Sequence, residues 1–125
     1  MSILVVEDDS INRLVTTQFL VRAGYEVKSC VSGAEALEAV ATDEYTMILL
    51  DMGLPDMDGI EVCRRIRAMD ASATAASVPV IAVTAHAAPA DHNAFLAAGV
   101  DAVVTKPIDR EKLIAAVAER IGGGN

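Results

Sequence analysis

Five short stretches, four of them apolar (residues 2–6, 47–50, 78–84 and 102–105) and one more polar (26–30), alternate along this chain with stretches of helical spacing. Runs this short and bounded by turn residues read as strands, and those rich in Val, Ile and Leu as strands covered on both faces. Strict alternation of strand and helix leads to an α/β fold with a parallel sheet and helices on both sides. Right-handed crossovers then leave few topologies. At 125 residues one domain is expected, placed at 1–121, with 122–125 as a frayed tail or the start of a linker.

The intervening stretches supply five helices. Ser10 is a plausible N-cap for the first, whose Ile11, Leu14, Val15 and Phe19 fall on one face. Gly24 suits the position just past its end. Ser32 and Glu35 form a capping box for the second helix, which turns Ala36, Leu37, Val40 and Ala41 inward. The third, at 59–69, faces Ile60, Cys63 and Ile66 inward and leaves Arg64, Arg65 and Arg67 on solvated sides. A flexible connection is expected at 71–77. The fourth helix, from about Asp91, is alanine-rich with Phe95 and Leu96 as its chief anchors, and should be the least firmly packed. Asp109 can cap the fifth, with Leu113, Val117 and Ile121 inward.

Composition narrows the function. Apolar residues make up 53% of the chain and aromatics 3%, so the core is aliphatic. A net charge of −8 argues against a broad basic face for nucleic acid. Cys30 and Cys63 lack metal-ligand spacing and read as buried thiols of a reducing compartment. No apolar run approaches a membrane span, and no basic segment precedes an apolar one at the start. A soluble cytoplasmic protein is expected.

The polar residues at the strand ends carry the chemistry. Strand 1 runs into Glu7 and Asp8, strand 3 into Asp51, strand 4 ends in Thr84, and strand 5 is followed by Lys106. Ligands of open α/β sheets bind beyond the carboxyl ends of the strands. Taken alone, Asp51 serves equally well as a nucleophile or as the cap of the next helix. If strands 1 and 3 are neighbours, three carboxylates crowd one spot. Two unit charges ~4 Å apart repel by about 4 kcal/mol at an effective dielectric of ~20. Such a cluster calls for a cation or a raised pKa, and oxygen ligands favour a hard ion, Mg²⁺ above all. Lys106 adds a second positive charge and Thr84 a hydroxyl donor. Together these groups can bind and neutralise a phosphoryl group.

Four motifs, in this order, resemble the receiver domain of two-component response regulators. They are Ile3-Leu-Val-Val-Glu-Asp-Asp9, Leu49-Leu-Asp-Met-Gly-Leu-Pro-Asp-Met-Asp-Gly59, Val83-Thr-Ala85 and Thr105-Lys-Pro107. The resemblance spans nearly the whole chain and implies a flavodoxin-like, doubly wound sheet of strand order 2-1-3-4-5. It makes Asp51 the acceptor of a phosphoryl group from a phosphohistidine. It makes Asp8 a direct Mg²⁺ ligand, Glu7 a ligand through water, and the Gly53 carbonyl a third metal contact. It turns Thr84 and Lys106 to phosphoryl oxygens, makes the Lys106–Pro107 bond cis, and leaves Asp9 as a helix cap or an outer group. The implied partners are a histidine kinase or a histidine phosphotransfer protein, with downstream contact or self-association through helix 4, strand 5 and helix 5. Such a domain is not a turnover enzyme but catalyses its own phosphorylation and dephosphorylation. One departure stands out: the family's aromatic switch three residues before the lysine is Val103 here.

Other readings are weaker. An aspartyl phosphatase usually carries its nucleophile after strand 1, which Asp8-Asp9-Ser10 does not fit. A non-phosphorylated binding module should lack a site group, and none is missing. The phrasing around Thr84, Gly99 and Lys106 is also similar to receivers attached to hybrid histidine kinases. His86 lies two past Thr84, near enough to affect water access, although an exposed and silent side chain is the default for it and for His92. Met52, Met57 and Met69 read as packing.

Overall fold

The computed structural model describes residues 2–69, 77–85 and 88–122. His86, the tail beyond 122 and all of the 71–77 connection except Ser77 lie outside the described residues.

Five parallel strands form one sheet in the order β2-β1-β3-β4-β5. They are β1 (Ser2–Val6), β2 (Val27–Cys30), β3 (Tyr45–Asp51), β4 (Val80–Thr84) and β5 (Ala102–Thr105). The two edge strands are four residues long, while central β3 has seven, six of them buried. Among the described residues five helices cover the sheet: α1 (Ser10–Arg22), α2 (Gly33–Thr42), α3 (Gly59–Arg67), α4 (Pro89–Ala98) and α5 (Arg110–Gly122). Because successive strand side chains alternate faces, the core is split in two. Ile3, Val5, Met47, Leu49 and Ile81 meet α1 and α5, while Leu4, Val6, Ile48, Leu50 and Val80 meet α2, α3 and α4. None of these helices is long and apolar enough to cross a membrane.

The boundaries shift modestly from expectation. β3 starts at Tyr45 and runs through Asp51, β4 starts at Val80 beyond Pro79, and α4 starts at Pro89, which is pre-organised for a helix's first turn. The capping box forms around Ser32, whose Oγ accepts the Glu35 N–H at 3.1 Å. The Glu35 carboxylate reaches Val31 N–H (3.3 Å) rather than Ser32. Both cysteines are buried free thiols.

α1 corrects the sequence reading most. Ile11 is 70% and Leu14 58% exposed, and Val15 is exposed too. The inward stripe is Arg13, Thr16, Thr17 and Leu20, spaced i, i+3, i+4 and i+7. The first turn of α1 faces the loop after β1, a polar surface, so Ile11, Leu14 and Val15 are left to solvent, while Phe19 of the same expected stripe is half-buried against the core. Its N-cap is Asp9, not Ser10: the Asp9 carboxylate accepts the Asn12 N–H at 2.8 Å. Ala41 of α2 is exposed while Ala36 and Val40 are buried, and α3 buries Val62 beside Cys63 and Ile66, with Ile60 only half-buried. Leu96 of α4 is exposed, which leaves Phe95 and Ala98 as that helix's buried residues.

Arg67 is no solvated residue. Its guanidinium donates to Gly99 O (2.8 and 3.1 Å) and Val78 O (2.5 Å), and pairs with Asp101 at 2.9 Å. It knits the end of α3 to the amino ends of β4 and β5.

Candidate functional site

Strand register assembles the site. Val6 pairs with Leu50, so Glu7 and Asp51 emerge side by side from β1 and β3. Asp51 pairs with Val83, and Thr84 with Thr105, which puts Thr84 and then Lys106 at the same sheet edge. The Lys106–Pro107 bond is cis. Six candidates from the sequence therefore meet: Glu7, Asp8, Asp51, Gly53, Thr84 and Lys106 line one cavity of about 460 Å³.

The geometry inside is specific. Asp51 and Glu7 are each 4% exposed. Lys106 Nζ lies 3.2 Å from Asp51 Oδ1 and 3.4 Å from Glu7 Oε1. Asp51 Oδ1 also accepts the Gly53 N–H at 3.1 Å, and Glu7 Oε2 accepts the Asp9 N–H at 3.2 Å. Asp8 is exposed at the rim. Carboxylate oxygens of Glu7, Asp8 and Asp51 all lie within 4.8 Å of one another. Three oxygen donors that close, with no imidazole or thiolate among them, fit Mg²⁺, which takes one or two carboxylates and keeps several waters.

Lys106 alone does not balance three carboxylates. Burial is the main force raising the Glu7 pKa, from 4.5 to about 7; a hydrogen bond with Asp51 and its charge add to it, against the opposing Asp9 N–H and Lys106. Burial pushes the Lys106 pKa down, but Asp51 and Glu7 outweigh it and hold it above the ordinary lysine value. For Glu7 the consequence has a sign. Between pH 4.5 and about 7 the folded protein holds a proton that the unfolded chain has released. Metal-free stability therefore falls as pH rises through that window. Urea unfolding in EDTA at pH 5 and pH 7.5 should show Glu7→Gln losing less stability than the wild type, by on the order of 2 kcal/mol.

The structure adds residues that the strand-end argument did not find. Asp91 and Phe95 of α4 and Asp58, the α3 N-cap, also line the cavity. Arg13 holds the loop after β1 from behind: its Nη1 donates to Glu7 O at 3.0 Å and lies 3.4 Å from Asp8 O. Asp56 accepts the Gly33 and Ala34 N–H groups at 2.9 and 3.0 Å, so the loop between β3 and α3 caps α2. These two amides hold the Asp56 pKa below the ordinary carboxylate range. No sequence spacing marks contacts between elements so far apart. His92 is exposed on α4 and is absent from the cavity lining.

A doubly wound parallel sheet with three carboxylates, a hydroxyl and a lysine in a cleft at its carboxyl edge has the architecture of a flavodoxin-like domain. The receiver-domain sequence profile of response regulators matches residues 3–118, and the chain belongs to that family. It is thus a receiver domain of two-component signalling. It is 39% identical over 115 residues to the two-component response regulator ORR41 of Oryza sativa subsp. japonica, with 89% of this chain and 87% of that protein covered. It is 33% identical over 120 residues to the sensor protein GacS of Pseudomonas syringae pv. syringae, covering 96% of this chain but only 13% of GacS. Among solved structures, the receiver domain of the sensor histidine kinase PA1611 of Pseudomonas aeruginosa PAO1 superposes with a TM-score of 0.87 at 35% identity, covering 97% of both chains. That neighbour carries a magnesium ion coordinated in its active site cleft.

Proposed function

We propose that this domain, residues 1–121, takes a phosphoryl group from a phosphohistidine onto Asp51, and later loses it to water or passes it on. The observation that carries the reading is the convergence on Asp51 of two carboxylates from β1 and one ammonium from β5. The Asp51 carboxylate attacks phosphorus, an O–P bond forms, and the N–P bond of the donor breaks with its electron pair leaving on the imidazole. Lys106 neutralises one phosphoryl oxygen and the Thr84 hydroxyl donates to another. Asp8, Asp51 and the Gly53 carbonyl would hold Mg²⁺ directly and Glu7 through water. When bound, the ion spreads the charge shared between the carboxylates and the phosphoryl oxygens. The chain thereby catalyses its own loading and unloading rather than turning over a substrate. Incubation with phosphoramidate and Mg²⁺, read by intact mass, tests this: one added phosphoryl group is expected, and none in EDTA. No mass gain with Mg²⁺ sinks the reading.

The donor is a cytoplasmic histidine kinase or histidine phosphotransfer protein, and the likeness to GacS and to the PA1611 receiver supports this choice. Relay within a hybrid kinase is the second reading, favoured by Val103 in place of an aromatic switch; Val103 is half-buried against the core. Ile11, Leu14 and Val15, exposed on α1 next to the acidic loop, suit the docking of a partner's apolar helix face. Downstream contact or self-association is assigned to the face of α4, β5 and α5, where Leu96 is exposed. Direct nucleic-acid binding and membrane association are not part of this function. The double variant Ile11→Lys/Leu14→Lys should slow transfer from a phosphohistidine protein by at least about tenfold. Phosphorylation by phosphoramidate should stay at the wild-type rate. Parallel time courses with the two donors provide the check.

A further inference from the structure

Asp8 is the least supported carboxylate of the cluster. Glu7 is fixed by Lys106 and the Asp9 N–H, and Asp51 by Lys106 and the Gly53 N–H. The Asp8 side chain makes no hydrogen bond or ion pair among the described residues, and it is exposed. Where its carboxylate can reach is therefore set by the backbone of residues 7–9.

That backbone is held from the helix side by one residue. Arg13 Nη1 donates to Glu7 O at 3.0 Å and lies 3.4 Å from Asp8 O. The Arg13 backbone N–H donates to Asp9 O at 2.9 Å. Asp9 itself caps α1 through Asn12. Arg13 thus bonds to all three residues of the acidic loop, through its side chain and its main chain. It occupies the inward stripe of α1 with Thr16, Thr17 and Leu20 and is half-buried there. Both side-chain contacts come from Nη1, whose two N–H groups suit two successive carbonyls.

We propose that Arg13 is a positioning residue for Asp8. It braces the acidic loop so that the Asp8 carboxylate is aimed into the cleft before Mg²⁺ arrives. The inference rests on the proposed role of Asp8 as a metal ligand. A purely electrostatic role for Arg13 predicts the opposite sign, because a nearby cation repels Mg²⁺. Groups that orient metal ligands typically contribute 10–100-fold to affinity.

The test is calorimetric titration of the metal-free protein with Mg²⁺, for the wild type, R13A, R13K, D8N and the double variant R13A/D8N. Thermal unfolding of each variant confirms that it is folded at the titration temperature. R13A should weaken Mg²⁺ binding roughly tenfold. R13K, which keeps a charged donor on a shorter side chain, should weaken it less. Because Arg13 acts through Asp8, adding R13A to D8N should cost little more than D8N alone. Tighter or unchanged binding in R13A overturns the proposal, as does full additivity with D8N. Should R13A fail to fold, R13K and R13K/D8N carry the same comparison, and R13K at wild-type affinity overturns it. A wild type that does not bind Mg²⁺, or a D8N variant that binds as well as the wild type, brings down the metal-ligand reading instead.

Discussion

Asp51→Asn is expected to abolish phosphoryl incorporation from phosphoramidate while leaving the fold intact. The amide is nearly isosteric, and its oxygen can still accept from Lys106 and from the Gly53 N–H, the two donors that hold Asp51 Oδ1. What is lost is the anionic nucleophile. The change also removes a like charge from beside Glu7, and that charge is one cause of the raised Glu7 pKa. Thermal stability should therefore stay close to that of the wild type, so loss of incorporation cannot be put down to unfolding. Intact mass and a melting curve on the same sample separate the two. Incorporation at the wild-type level would place the acceptor on another residue.

The second large effect lies at the other pole of the sheet. Arg67→Met is expected to destabilise the domain by about 2–3 kcal/mol and to lower Tm by roughly 10 °C. The Arg67 side chain is only 21% exposed. Its removal leaves the Gly99 and Val78 carbonyls without their guanidinium donors, and the Asp101 carboxylate without its ion pair, with the Val80 N–H at 2.9 Å as its remaining hydrogen bond among the described residues. Gly99 has φ +105°, and Arg67 carbons fill the space beside it, so the turn into β5 is shaped around this side chain. Urea unfolding and differential scanning give the magnitude. At temperatures well below the new Tm, phosphoramidate should still load Asp51 normally, since the network sits at the strands' amino ends.

The two poles differ in how far the sequence revealed them. At the carboxyl edge, each site residue directly ends or follows an apolar strand, so strand periodicity alone placed Glu7, Asp51, Thr84 and Lys106 on one edge. Adjacency of β1 and β3 then brought the carboxylates together. The Arg67 network had no comparable signal. Arg67 follows Arg64 and Arg65 in an apparently solvated run, and its partners are backbone carbonyls and one Asp more than thirty residues away in sequence. Sequence shows which residues share a helix face, but not which neighbouring helix end a long side chain will reach.

α1 failed for a related reason. Hydrophobic periodicity selects the more apolar of two stripes, and here that is Ile11, Leu14, Val15 and Phe19. The sheet instead takes Thr16 and Leu20, and Arg13 turns to the loop carbonyls. The apolar stripe was real, but Phe19 packs against the core while Ile11, Leu14 and Val15 face solvent. The displacement of the cap from Ser10 to Asp9 follows the same local polarity, since Asp9 belongs to the loop that α1 braces. Asp56 was legible as a loop residue and no more, because its partners are the first amides of another helix.

The shortness of the edge strands bears on how copies of this domain can meet. Open sheet edges are templates for strand addition and, in the extreme, for fibrils. β2 and β5 offer four residues each, and β2 carries Lys28, whose ammonium lies 3.9 Å from Asp43 on the exposed surface. A strand laid against either edge would gain few backbone hydrogen bonds and, on β2, would have to accommodate a charged lysine. Growth by edge-to-edge polymerisation is thus disfavoured at both ends of the sheet.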